Sequence, residues 1–296
     1  MYQQVMIDSR AKIYQRHYQL CIDTGEVHHI PIEDVDTVVI SNRESSITVA
    51  CLDSLVENGC SVLICGADYM PEGILLPFGA YSRRLRMIRW QIAQGKPAIK
   101  QLWKKIVQRK IVNQGACLIL SGKEDCVSVL ADKVQSGDKG NIEAVAAARY
   151  FKSVFGLSFV RHDMDIENSM LDYGYAVLRS CIARYLAAYG FEPCLGIHHH
   201  SETNAFNLAD DLIEPFRPVV DLYVSQNKSL ETSELSKSIR QGLVGLLSAE
   251  VLMGKERVSV SNAVERVVQG LARWYQDAEK QVELPQLLPL SLHCYE

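Results

Sequence analysis

The sequence predicts an α+β chain: a small β-rich N-terminal domain followed by a larger all-α domain. Three observations carry this. Short runs rich in β-branched and aromatic residues, broken by turn residues, fill the first 77 positions. From Tyr81 onward apolar residues recur at helical spacing almost throughout. The length, 296 residues, is that of about two domains. The strand runs are 3–9, 12–22, 27–32 and 35–40, with Asp23-Thr24-Gly25-Glu26 as a turn signal between them. Thr48 to Glu57 places Val49, Leu52, Leu55 and Val56 at helical spacing and stops at Asn58-Gly59. Residues 61–65 return to strand, and 73–77 read as one more. A linker is expected at 78–82, dividing domains 1–77 and 83–296. Helices are then expected over 82–94, 98–120, 123–134, 141–154, 168–189, 207–223, 232–249 and 258–277.

Composition excludes several classes. Lys+Arg is 31 and Asp+Glu is 35, so the net charge of −4 excludes a uniformly basic nucleic-acid coat but not a local basic patch. The opening MYQQVMIDSRAKIY lacks the basic-then-apolar pattern of a secretory signal. The apolar window 47–66 is interrupted by Asp53, Glu57 and Asn58, so no membrane span is read. Nine scattered cysteines with no C-x-x-C fit reduced core thiols, and the expected location is the cytoplasm.

The positive charge is concentrated. No Asp or Glu lies between Glu72 and Glu124, while Arg83, Arg84, Arg86, Arg89, Lys96, Lys100, Lys104, Lys105, Arg109, Lys110 and Lys123 do. Tyr81, Trp90 and Trp103 are interleaved. Lys100 and Lys104 share one helix face, as do Arg86 and Arg89. Such a face repels itself unless a polyanion neutralises it, and a phosphate backbone does so. The competing reading is a solvated surface paired with carboxylates from elsewhere.

A second cluster is acidic. Asp211 and Glu214 are three apart on one helix face, with Asp210 at its border. Pro215 lacks the N–H that a helix would use at that position, so it disturbs the helix around Asp211. His198, His199 and His200 precede this element across a loop. Carboxylates with an imidazole suit Mg²⁺ or Mn²⁺. Cysteine is absent from the cluster, which argues against structural zinc. A third ligand has to come from another helix. Glu143 is a candidate, in the first turn of a helix that Asp138 or Asn141 caps. Ala144, Ala146, Ala147 and Ala148 let neighbouring helices approach closely.

These segments together resemble the CRISPR-associated adaptation integrase, the larger subunit that inserts spacers into a CRISPR array. The matching residues are Asn141-Ile142-Glu143 followed by Arg149-Tyr150-Phe151, Asn168 through Tyr175, Gly196 and His199, and Asp211 through Pro218 with Asp221. Asp172 stands where much of that family has Asn. The form of these segments is similar to members of the type II branch. The resemblance implies Glu143, His199 and Glu214 as catalytic metal ligands for Mg²⁺ or Mn²⁺, with His199 preferred over His198 and His200 by its distance from Asp211. It implies support from Asp211 and from Arg217, which either stabilises phosphate charge or braces the site. Tyr173 and Tyr175 are expected to pack between helices.

The resemblance also implies transesterification, in which the 3′-OH of a short duplex attacks a phosphodiester at the leader–repeat junction. Arg83, Arg84, Arg86, Arg89, Lys100, Lys104 and Lys105 would hold the duplex (prespacer and repeat DNA) largely without reading sequence. Implied partners are a second copy of the chain, joined through the β-rich domain, and a small ferredoxin-fold adaptation subunit. An RNA-guided effector and accessory adaptation proteins complete the implied set. Rival readings are a metal-dependent branched-DNA nuclease, a non-catalytic DNA-bridging scaffold and, more distantly, a small-molecule metallohydrolase.

Overall fold

A computed structural model describes residues 3–76, 83–227 and 235–293. The expected linker 78–82 lies outside the described residues, as do Tyr81 and Cys294. The N-terminal elements are β1 (Gln3–Ile7), β2 (Lys12–Arg16), β3 (Gln19–Asp23), β4 (Val27–Pro31), β5 (Val35–Ile40), β6 (Ser46–Ile47), α1 (Val49–Glu57), β7 (Ser61–Cys65) and β8 (Pro71–Leu75). They form two four-stranded sheets, ordered β1-β5-β7-β8 and β4-β3-β2-β6. In the first sheet β1, β5 and β7 run parallel and β8 antiparallel. Side chains alternate across that sheet. Val5, Ile7, Val38 and Val62 face a small core with Ile13, Leu20 and Leu55, whereas Val39, Leu63 and Cys65 face the helical core. Burial on both faces is why β5 closes on the consecutive apolar residues Val38, Val39 and Ile40 with no polar alternation.

The run 12–22 is two strands, not one. His17 and Tyr18 turn the chain with φ of 51° and 61°, and Lys12 pairs with Asp23 across the hairpin. Two consecutive left-handed residues suit a two-residue hairpin, but neither is the Gly or Asn that would have signalled it.

The second part comprises α2 (Arg84–Ala93), α3 (Lys96–Leu120), α4 (Ile142–Phe155), α5 (Ile166–Ala188), α6 (Asn207–Leu212), α7 (Arg217–Asn227), α8 (Lys237–Gly245), β9 (Ala249–Met253), β10 (Glu256–Ser259), α9 (Val260–Gln276) and β11 (Gln286–Leu292). Long α3 packs against α4, α7 and β11, and α5 packs against α7, α8 and α9. At Gly174 on α5 a Cβ would stand 2.5 Å from Val220 of α7, so glycine permits this close crossing.

The α+β class stands, with three amendments to the helical part. The helix expected at 123–134 is a 3₁₀ segment over Ser128–Lys133, because Asp125 takes the amides of Val127 and Ser128 in place of a helical turn. The helix expected at 207–223 breaks into α6 and α7 around Pro215. The region expected to be wholly helical also holds a three-stranded sheet, ordered β10-β9-β11. Gly254, with φ of 60°, begins its β9–β10 hairpin turn.

Among the described residues no helix is long and apolar enough to cross a membrane. The described cysteines are all free, and all but Cys126 and Cys194 are buried, as expected of core thiols.

Candidate metal centre and DNA surface

Four elements converge on one point. Asp138, not the Asn141 side chain, caps α4: its carboxylate accepts from the amides of Ile142 at 2.9 Å and Glu143 at 3.0 Å. That fixes Glu143 in the first turn, facing α3. From α3, Lys110 extends its ammonium to 2.6 Å from Glu143 Oε1 and 2.5 Å from Glu214 Oε2. Lys110 and Glu214 are buried, while the Glu143 side chain keeps 22% of its surface exposed.

Glu214 lies in the break between α6 and α7. Pro215 cannot donate to the carbonyl of Asp211, so the chain turns there. The buried Pro215 carbonyl accepts from Asn113 Nδ2 at 2.8 Å, which also bonds Pro285 O at 3.0 Å and so ties the break to α3 and the C-terminal strand. Arg217 begins α7 and donates Nε–H to Glu214 Oε1 at 2.9 Å, with its guanidinium 4.4 Å from the Tyr175 ring. It braces the site. Tyr173 and Tyr175 are core residues; the Tyr175 hydroxyl donates to Asp221, as does Tyr150 at 2.8 Å.

The histidine loop is anchored by Asp211. This fully buried carboxylate accepts the amides of Ile197 at 2.5 Å, His198 at 2.9 Å and His199 at 3.1 Å, and lies 2.7 Å from His199 Nδ1. Gly196 makes this approach possible: a Cβ there would stand 2.3 Å from His199 O and 2.9 Å from Asp211 Oδ2. Because the carboxylate only accepts, Nδ1 carries the proton and Nε2 is left for another partner. The three histidines therefore differ. His198 stacks on Trp103 at 4.3 Å, His199 is held by Asp211, and His200 lines a separate groove with Glu202 and Asn207. Trp103 is buried beneath His198 and is no open platform for a base.

Charge follows this geometry. Burial pushes the Glu214 carboxyl up, but Arg217 and Lys110 override it and bring it down to about 2. For Lys110 burial works against the ammonium, and Glu214 and Glu143 outweigh it, so its pKa is raised. His199 is raised chiefly by its hydrogen bond to Asp211, against burial.

Among the described residues no three His, Cys, Asp or Glu side chains stand at metal-holding spacing. The donor set nevertheless fits a divalent cation. Two carboxylates already share one cation, the Lys110 ammonium, and a histidine with its Nδ1 committed to a carboxylate is the usual arrangement of a ligating imidazole. Glu143, His199 and Glu214 would hold the ion.

The basic segment divides by face. Arg83, Arg84, Arg86, Arg89, Lys100 and Lys105 are exposed and Lys104 is half-buried. Of these seven, among the described residues, Arg84 has a carboxylate in ion-pair range, Glu192 at 3.1 Å, and Arg86 lies over Trp90 at 4.8 Å. Lys110, grouped with them by charge alone, belongs to the centre and not to the surface. Sequence reasoning missed that role. The signal was its position, four after Ile106 and three before Asn113, on the buried stripe of α3.

Residues 5–238 match the family described as CRISPR associated protein Cas1. The chain is also 39% identical over 299 aligned residues to the CRISPR-associated endonuclease Cas1 of Neisseria meningitidis serogroup C (strain 8013), covering 99% of this chain and 98% of that protein. The chain belongs to the Cas1 family. Its fold is similar to a casposase bound to integration product, with a TM-score of 0.78 at 19% identity over 95% of this chain and 92% of that one. A chain of a Cas6-RT-Cas1–Cas2 complex gives a TM-score of 0.72 at 17% identity, over 95% of this chain and 36% of that one. The segment matching the Cas1 family contains Lys110, Glu143, His199, Asp211, Glu214 and Arg217, and leaves β9, β10, α9 and β11 beyond it.

Proposed function

We propose that this Cas1-family chain is a DNA integrase of CRISPR adaptation, inserting short duplex DNA at the leader–repeat junction. The observation that carries this is the convergence of Glu143 and Glu214 on one cation position beside a histidine oriented by Asp211. In this reading Glu143, His199 and Glu214 hold Mg²⁺ or Mn²⁺. The bound ion lowers the barrier to attack by a 3′-OH and neutralises the phosphate. One phosphodiester forms as another breaks, and the proton of the attacking hydroxyl is matched by one gained by the leaving oxygen. No covalent protein nucleophile is needed.

The chain's own residues do the positioning. Asp211 fixes the His199 ring, Arg217 fixes Glu214, and Asp138 fixes the start of α4. Arg83, Arg84, Arg86, Arg89, Lys100, Lys104 and Lys105 hold the duplex through its phosphates. Two joining events a repeat length apart call for two centres, hence a homodimer working with a small ferredoxin-fold subunit. The Cas6-RT-Cas1–Cas2 complex and the casposase bound to integration product among the fold neighbours support a second adaptation subunit and DNA as partners.

Strand joining of a 3′-overhang duplex into a supercoiled repeat plasmid, with and without Mn²⁺, tests the reading. Wild type is expected to join only with metal, and Glu143→Ala and His199→Ala to lose joining while retaining DNA binding. Cleavage without joining would assign a branched-DNA nuclease. Function unchanged in both variants would assign a bridging scaffold.

A further inference from the structure

We infer that the Lys110 ammonium is a displaceable internal cation: it occupies the place between Glu143 and Glu214 that a divalent ion would take, and must leave at least one of them for that ion to bind. This rests on the metal reading above. Glu143 Oε1 lies 2.6 Å and Glu214 Oε2 lies 2.5 Å from Lys110 Nζ, and Glu214 Oε1 takes Arg217 Nε at 2.9 Å. Both oxygens of Glu214 therefore already face a cation.

Charge gives the second step. Two cations face two carboxylates, so the cluster is neutral as it stands. A divalent ion added with Lys110 in place would share ligands with an ammonium in a buried site, where little water screens the repulsion. Arg217 is the worse candidate to move, because its guanidinium is held between Glu214 and the Tyr175 ring. Lys110 carries a point charge on a flexible four-carbon stem, rooted on α3 and free to rotate its ammonium away. The lysine thus keeps two buried carboxylates together without metal and sets the affinity at which metal replaces it.

Mn²⁺ binding, read by the electron paramagnetic resonance signal of the free ion, tests this in DNA-free wild type, Lys110→Met and Lys110→Arg. Lys110→Met is expected to bind Mn²⁺ at least tenfold more tightly than wild type, and Lys110→Arg no more tightly than wild type. A purely structural lysine predicts the opposite sign, since its loss would let the carboxylates part. Mn²⁺ bound by neither wild type nor Lys110→Met overturns the metal reading and this inference with it. Mn²⁺ bound by wild type at least as tightly as by Lys110→Met overturns the inference alone. Should Lys110→Met fail to fold by circular dichroism, a crystal of wild type soaked in Mn²⁺ decides. Lys110 Nζ beyond hydrogen-bond distance of one carboxylate supports displacement, and both contacts kept with Mn²⁺ bound overturns it.

Discussion

Two buried cation–carboxylate clusters in this molecule use the same electrostatics for different ends. Arg184 of α5 pairs with Asp36 of β5 and binds the helical part to the N-terminal sheet. Its guanidinium also donates to Gly59 O at 3.2 Å and Ser261 Oγ at 3.4 Å and lies 4.2 Å from the Tyr185 ring, while Ser261 donates to Asp36 Oδ2 at 2.9 Å. Protein surrounds the pair, and Asp36 is 1% exposed. The Lys110 cluster is equally ionic, yet Glu143 reaches solvent and the cation sits on a flexible stem. A closed pair fastens elements together. A pair with an exit can exchange its cation.

Breaking the closed pair is expected to have the largest effect on stability. Arg184→Met leaves Asp36 charged and buried without its partner, which costs about 3–5 kcal/mol. Urea unfolding measures it, and Mn²⁺ affinity of the folded variant should match wild type. A loss below about 1 kcal/mol would mean that Asp36 finds water or another donor, and the cluster would not be closed.

Another buried carboxylate, Asp221, shows what happens without a cation in contact. Among the described residues Asp221 touches no cation; only the Tyr150 and Tyr175 hydroxyls donate to it. Here burial wins over those hydrogen bonds and over the more distant Arg217 and Lys110, and the pKa rises from 3.8 to about 6. Glu214, just as deeply buried but in contact with two cations, goes down to about 2. Direct contact decides the direction. The sign for stability follows: a raised carboxyl contributes fully below pH 3.8, and the contribution fades as pH rises to about 6. Asp221→Asn removes that dependence. The variant should therefore gain on wild type by about 2 kcal/mol between pH 4.5 and pH 7 in paired urea titrations. A gap constant across that window would show that the tyrosine hydroxyls hold the carboxylate ionised.

How much of this was legible depends on whether a feature is local. The first-turn placement of Glu143 and the break at Pro215 could be read because both are properties of a few consecutive residues, whereas the helix face expected to join Asp211 and Glu214 is interrupted, since α6 ends at Leu212 and Glu214 lies in the break. The strands β1, β4, β5 and β7 were legible for the same reason. The hairpin at His17-Tyr18 was not, since its left-handed backbone is imposed by the sheet and not by glycine. The strands β9 and β10 lie mostly in the gap left between the helices expected at 232–249 and 258–277, where runs of only five and four residues read as a connection. Lys110 was the costliest omission. Counting charge along 83–110 merges residues that the helix sends to opposite faces, and only periodicity separates them.

The smallest expected effect tests that separation directly. Lys105 and Lys110 are five residues apart on α3, one exposed and one buried. If Lys105 faces phosphate, Lys105→Ala removes one counterion-releasing contact. The slope of log affinity against log salt for duplex DNA should then flatten by about 0.9, with only a few-fold loss of binding at low salt. Fluorescence anisotropy over a salt series measures the slope. Lys110 is committed to two carboxylates and releases no counterion from DNA, so Lys110→Met should leave the slope within error of wild type. An equal flattening in both variants would place Lys110 on the DNA surface, and the distinction between a closed pair and an exchangeable one would lose its second member.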